Sequence, residues 1–118
     1  MAIQPIVITP DLDRLQSFYQ ELLGAREIVR MPEDGPTFFI DLDIDGDRLG
    51  LVNNGDVEVG EPGRVLLSFS VDDVDELLER VEPAGGQVMG PANDMPWGQR
   101  VAHIKDPDGN AVNLTQQI

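Results

Sequence analysis

Asp43-Ile44-Asp45-Gly46-Asp47-Arg48-Leu49-Gly50-Leu51 recurs in outline 63 positions later as Asp106-Pro107-Asp108-Gly109-Asn110-Ala111-Val112-Asn113-Leu114. Each copy reads as a turn followed by an alternating strand. Upstream of the first copy lie a strand over 6–9, an acidic helix start at Asp11, a helix stop at Gly24 and a strand around Phe38. Upstream of the second lie a strand over 65–71, a helix start at Asp72 or Asp73, a stop near Gly85 and a strand through Val101. Two copies are too few for a stacked array, so the pattern predicts a duplicated βαβββ module. The expected organisation is a single domain over 1–118, with modules at about 1–54 and 64–118.

The helices carry their own punctuation. Asp11 is a good N-cap, and Leu12, Leu15, Phe18, Tyr19, Leu22 and Leu23 follow at helical spacing before Gly24. Val74, Leu77, Leu78 and Val81 form the second apolar stripe, ended by Pro83 and Gly85-Gly86. Asn53-Asn54-Gly55 and Glu61-Pro62-Gly63 mark a polar linker with turn chemistry at both ends. Asp41, Asp43, Asp45, Gly46 and Asp47 imitate the opening of a calcium loop, but the closing carboxylate would fall on Val52. The Asp-Gly pair reads instead as a type I′ hairpin turn.

Eight basic residues against 22 acidic ones leave a net charge of −14. That field repels phosphate backbones and anionic lipid, so neither nucleic acid nor a membrane surface is an expected partner. It serves solubility, and it would also concentrate a cationic ligand. The absence of cysteine removes thiolate metal sites and cysteine nucleophiles and suits a reducing cytoplasm. Residues 1–9 carry no basic region before their short apolar run, so no signal peptide is expected, and no stretch approaches a membrane span.

Asp11-Leu12 with Phe18-Tyr19 and Leu22-Leu23-Gly24, then Ser70-Val71-Asp72-Asp73, Gly85-Gly86 and Asp106-Pro107-Asp108-Gly109-Asn110, taken in order and spacing, resemble the vicinal oxygen chelate superfamily. That superfamily includes glyoxalase I, extradiol dioxygenases, fosfomycin-resistance enzymes and bleomycin-resistance proteins. Pro96-Trp97-Gly98-Gln99-Arg100 is most similar to the bleomycin-resistance branch. The resemblance implies an α+β fold of two βαβββ modules forming curved mixed sheets around a cleft, helices outside, in a homodimer whose pockets are partly built by the second subunit.

In the metal-dependent members, four strand slots supply a His or Gln, a Glu, a His and a Glu to one divalent ion. By resemblance those slots here hold Gln4, Gly50, Leu66 and Asn113. Gly50 and Leu66 cannot ligate through a side chain, and neutral amide oxygens bind transition metals poorly. Neither a metal nor another cofactor is therefore expected. Strand alternation puts Ile6, Ile8, Phe38, Ile40, Val52, Ser68, Ser70, Gln99, Val101, His103 and Thr115 on the face of those slots. This is a mixed pocket-like set without a carboxylate. The other face holds Val7, Leu49, Leu51, Leu67, Phe69, Val71, Ala102, Ile104, Val112 and Leu114 and should pack on the helices.

His103 is the chain's single histidine. The corresponding slot in fosfomycin-resistance members carries a substrate-contacting Tyr, so the resemblance makes His103 a ligand contact; a structural hydrogen bond and a catalytic role stay open, the latter requiring an orienting partner. Trp97 is read either as a rim platform for planar or cationic ligands or as a lid or subunit contact. Arg100 should point away from the pocket. The candidate ligand-binding set is His103, Trp97, Phe38, Gln4, Ser68, Asn113 and Val101. It fits metal-independent binding of a small aromatic or cationic molecule, in the manner of an antibiotic-sequestering resistance protein. The alternative is a lyase, isomerase or dioxygenase of the same superfamily, and a third reading is a subunit whose cleft a partner chain closes.

Overall fold

The computed structural model describes residues 3–32, 34–60 and 65–118, in an α+β arrangement of two helices and two mixed sheets. Glu61-Pro62-Gly63, the second end of the expected linker, lies outside the described residues. The chain divides into two compact units between Val59 and Gly60, inside the stretch left between the two expected modules.

The first unit runs β1 (Ile6–Thr9), α1 (Leu12–Leu23), β2 (Arg26–Met31), β3 (Phe39–Ile44), β4 (Asp47–Asn53), with sheet order β1-β4-β3-β2. The Asp11 carboxylate caps α1 by accepting the Arg14 N–H, and Thr9 Oγ1 accepts the Asp11 N–H. Gly24 ends the helix in the left-handed conformation, returning its N–H to Gln20. Leu15, Phe18, Tyr19 and Leu22 are buried along one stripe, with Phe18 and Tyr19 edge to face at 5.1 Å. Against that stripe lie Ile40, Leu42, Leu49 and Leu51, the alternate positions of β3 and β4. The turn joining those strands has positive φ at both Asp45 (53°) and Gly46 (92°), the signature of type I′.

The second unit runs β5 (Leu67–Ser70), α2 (Val74–Val81), β6 (Gln87–Val88), β7 (Asn93–Met95), β8 (Gln99–Lys105), β9 (Ala111–Gln117). Its sheet order is β5-β9-β8-β6, with β7 added on β8 as a strand beyond the βαβββ plan. Asp73, one of the two expected caps, accepts the Glu76 N–H. Gln116 Oε1 reaches across to take the Val74 N–H, so the first turn of α2 is tied to β9. Val74, Leu77 and Val81 bury against Ala102, Ile104, Val112 and Leu114.

The second Asp-Gly turn differs from the first. Pro107 stands where Ile44 pairs with Asp47 in the first copy and has no N–H for such a pairing, and the chain makes a five-residue loop between the Lys105–Ala111 pair. The buried Asp106 carboxylate organises it by accepting the N–H groups of Asp108 and Asn110 and the Asn110 side-chain amide. Like patterns in sequence therefore give unlike turns, a correction to the reading of the two copies as equivalent.

Each helix covers one face of its own sheet and leaves the other open. Arg100 lies on the helix side, as alternation predicts. Its guanidinium grips Asp75 of α2 through Nε and Nη2 at 2.9 and 3.1 Å, and Asp94 of β7 through Nη1 at 3.0 Å. The hydrogen bonds from Arg100 hold the Asp75 carboxyl below its usual range. A carboxylate depressed in the fold contributes stability above its unfolded pKa and loses it as pH falls through the folded value. The unfolding-temperature gap between wild type and Asp75→Asn should therefore be full near pH 7 and shrink steadily on titration to about pH 3, as read by circular dichroism. A gap independent of pH would mean that the bridge carries no charge-linked stability.

Candidate functional site

The open face of the second sheet is laid out in rows by register. Ser68 of β5 stands beside Asn113 of β9, which stands beside His103 of β8. The next row is Ser70, Thr115, Val101 and Asn93, and the row beyond it pairs Gln117, Gln99 and Met95. Side chains facing each other across these strands are close enough to interact. His103 Nδ1 and Asn113 Oδ1 are 2.6 Å apart on the exposed surface. The Met89 N–H donates to the His103 carbonyl and continues that row to the sheet edge. Trp97 sits in the turn closed by the Gly98 N–H to the Met95 carbonyl, with its ring exposed and its indole Nε1 donating to Gln99 Oε1 at 2.9 Å.

His103, Asn113, Ser68 and, at one end, Trp97 thus share one polar sheet face. Val101 shares it too but is buried, so it offers a ligand almost no surface. Gln4 and Phe38 belong to the first unit.

The open face of the first sheet is different in chemistry and in residues from the expectation. Its rows are Ile6, Gly50, Asp41 and Val29, then Ile8, Val52, Phe39 and Met31. Ile40 is fully buried on the helix side, and Phe38 precedes β3, pairs by its carbonyl with the Asn53 N–H and has the parity of Ile40. The aromatic on the open face is Phe39. The face also carries carboxylates, contrary to the expectation of none: Asp41, buried, accepts from Gln4 Nε2 at 2.6 Å and Arg48 Nη1 at 2.8 Å. Asp43 follows two residues on, paired with Arg26 at 3.1 Å.

The cause is a one-residue register difference between the units. A constant offset of 63 maps His103 onto Ile40 and Val101 onto Phe38. The two-residue turn pairs Ile44 with Asp47, whereas the five-residue loop pairs Lys105 with Ala111. The true counterparts of His103 and Val101 are therefore Asp41 and Phe39, and a slip of one residue reverses the face. The signal was present in the sequence: Ile40, Leu42 and Ile44 alternate with Asp41, Asp43 and Asp45, which puts the aliphatics inward.

The four slots of the resemblance do not fit a divalent ion. A Cβ on Gly50 would lie 3.0 Å from Phe39 Cε1, 3.2 Å from Ile6 Cγ1 and 3.4 Å from Gln4 Nε2, so the space for a ligating side chain is filled. Gln4 is engaged by Asp41 and Asn113 by His103. Leu66 is half exposed and has no donor atom. Among the described residues no three His, Asp or Glu side chains converge as a metal site.

The glyoxalase/bleomycin resistance protein/dioxygenase superfamily model matches residues 2–114. The lactoylglutathione lyase of Haemophilus influenzae is 32% identical over 116 residues, covering 90% of this chain and 84% of that protein. The putative glyoxylase CFP32 of Mycobacterium tuberculosis is 51% identical over only 48 residues; the match spans 41% of this chain and 18% of the length of that relative. The crystal structure of TioX from Micromonospora sp. ML1 superposes with a TM-score of 0.76 at 26% identity, covering 100% of this chain and 97% of that one.

Gly50 tests the packing of the first open face. Gly50→Ala drives a methyl group against Phe39 and Ile6 and should destabilise by about 1 to 3 kcal/mol, the usual range for overpacking. Trimming the ring in Gly50→Ala/Phe39→Leu should recover most of the loss. Urea denaturation checks both; equal midpoints for wild type and Gly50→Ala would show that the ring moves aside freely.

Proposed function

Because the chain belongs to the glyoxalase/bleomycin resistance protein/dioxygenase superfamily, we propose that it is a metal-independent binder of a small organic molecule, held on the open polar face of the second unit. The observation that carries this reading is the His103–Asn113 pair: the amide in a slot that serves metal in relatives is turned onto an imidazole instead. A ligand contacting that pair meets ring edge, amide and the Ser68 hydroxyl in one row, which suits a partner with both planar and hydrogen-bonding parts.

The geometry also sets a scale. Gln99, which fixes the Trp97 indole, is four residues along β8 from His103, or roughly 13 Å in an extended strand. A ligand touching both is elongated, or Trp97 serves another contact. The surrounding net charge favours a cation, and sequestration of an antibiotic-like molecule in a cytoplasmic homodimer is the biological form we assign to it. Among the described residues no helix is long and apolar enough to cross a membrane.

The second reading is a lyase, isomerase or dioxygenase of the same superfamily. Its support is the likeness to lactoylglutathione lyase across nine-tenths of the chain. The two readings separate on metal content and turnover.

Elemental analysis of purified protein should find no stoichiometric zinc, nickel, iron or manganese. One tightly held ion per chain, lost in Asn113→Ala, would favour the enzyme. In a thermal-shift screen of aromatic, cationic and glycopeptide compounds, a hit should lose about 1 to 3 kcal/mol of affinity in His103→Ala with the fold intact. For a cationic hit the association rate should fall as salt rises. Affinity indifferent to His103 would move the site elsewhere.

A further inference from the structure

An amide oxygen accepts hydrogen bonds and never donates them, so the 2.6 Å contact to Asn113 Oδ1 is the one that the tautomer with its proton on His103 Nδ1 makes. The other ring nitrogen, Nε2, then carries the lone pair. It makes no hydrogen bond among the described residues, and the side chain is exposed on the open face. Nucleophile–base–orienter constellations need a base held in one tautomer by a third group. The orienting partner that a lone histidine would lack is supplied here from the neighbouring strand.

We infer that His103 Nε2 is an oriented general base, with Asn113 as its positioning residue, able to take a proton from an acidic C–H of a planar ligand lying on this face. The inference rests on the proposed binding face but adds a chemical step to it. No metal is involved in that step, and Ser68, on the far side of Asn113 in the same row, offers a hydroxyl to the ligand. Lys105, two residues along β8, is the charged side chain sharing this face. From β9 the face receives Asn113, Thr115 and Gln117, from β5 Ser68 and Ser70, and from β7 Asn93 and Met95, none of them titratable near neutrality.

The probe is 5-nitrobenzisoxazole with the full chain. Nε2 removes the C3 proton, the C–H electron pair becomes the third bond of a nitrile, the N–O bond breaks and the oxygen leaves as a coloured phenolate. The imidazolium returns its proton to water. The expected result is a saturable rate at least tenfold above the same concentration of free 4-methylimidazole and abolished in His103→Ala, within the usual reach of a positioned base. Asn113→Ala should lower the rate about tenfold, whereas Asn113→Asp, which keeps an acceptor oxygen against Nδ1, should restore it. Nitrogen-15 NMR of this single imidazole should report the Nδ1–H tautomer in wild type and a tautomer mixture in Asn113→Ala.

A rate no greater than that of free 4-methylimidazole, or a wild-type ring protonated on Nε2 alone, overturns the inference. Neither readout needs the natural ligand. A working base with no hit in the compound screen would sink the binding reading alone, and a hit lost in His103→Ala with the wrong tautomer would sink this one alone.

Discussion

Everything on the open faces is positioned by one parallel strand pair in each unit, β1 beside β4 and β5 beside β9. Parallel neighbours cannot be joined by a tight turn and need a crossover, which here includes the helix. The helix must lie on one face of the sheet it crosses, and its apolar stripe selects the strand positions that turn toward it. With one helix per sheet, the remaining positions have no helix of their unit to pack against. The parallel register then decides which of them stand side by side: Ile6 with Gly50 in one unit, Ser68 with Asn113 in the other.

Comparing those rows shows how a duplicated module takes on two chemistries. Ile6–Gly50–Asp41 and Ser68–Asn113–His103 are the same row of the same sheet plan. In the first the middle position has no side chain, a phenyl ring fills the space, and the flanking carboxylate is closed off by Gln4 and Arg48. In the second the middle position is an amide that points a ring outward. Asp41 is buried while its partner Arg48 stays more than half exposed, so the arginine compensates a carboxylate that would be costly to leave alone, and the pair fixes positions more than it strengthens the fold. The polar row remains available to a partner from solution.

The helices, their caps and the type I′ turn were legible because each rests on local chemistry: Asp at an N-cap, Gly in the left-handed conformation, an apolar stripe at helical spacing. The outward direction of His103 and the inward direction of Arg100 were legible from strand alternation alone. The face of Phe39 and Asp41 was misread, although the alternation of Ile40, Leu42 and Ile44 with Asp41, Asp43 and Asp45 marks it, because a constant offset of 63 does not hold across turns of unequal length. The orienting role of Asn113 was not legible at all. It depends on which residue of β9 stands opposite His103, which the five-residue loop around Asp106 sets, and on a side-chain rotation that no local pattern encodes.

The division of aromatic residues has a practical optical consequence. The chain holds one tryptophan and one tyrosine; Trp97 is 68% exposed at the end of the polar face, and Tyr19 is fully buried on the inner stripe of α1. The indole already samples water in the native protein, so its emission changes little on unfolding and shifts toward the blue when something covers it. The phenol is packed edge-on against Phe18, so its near-ultraviolet dichroism vanishes when the core loosens. Without any label, one chromophore reports occupancy and the other reports integrity, and the two signals come from different units of the same chain.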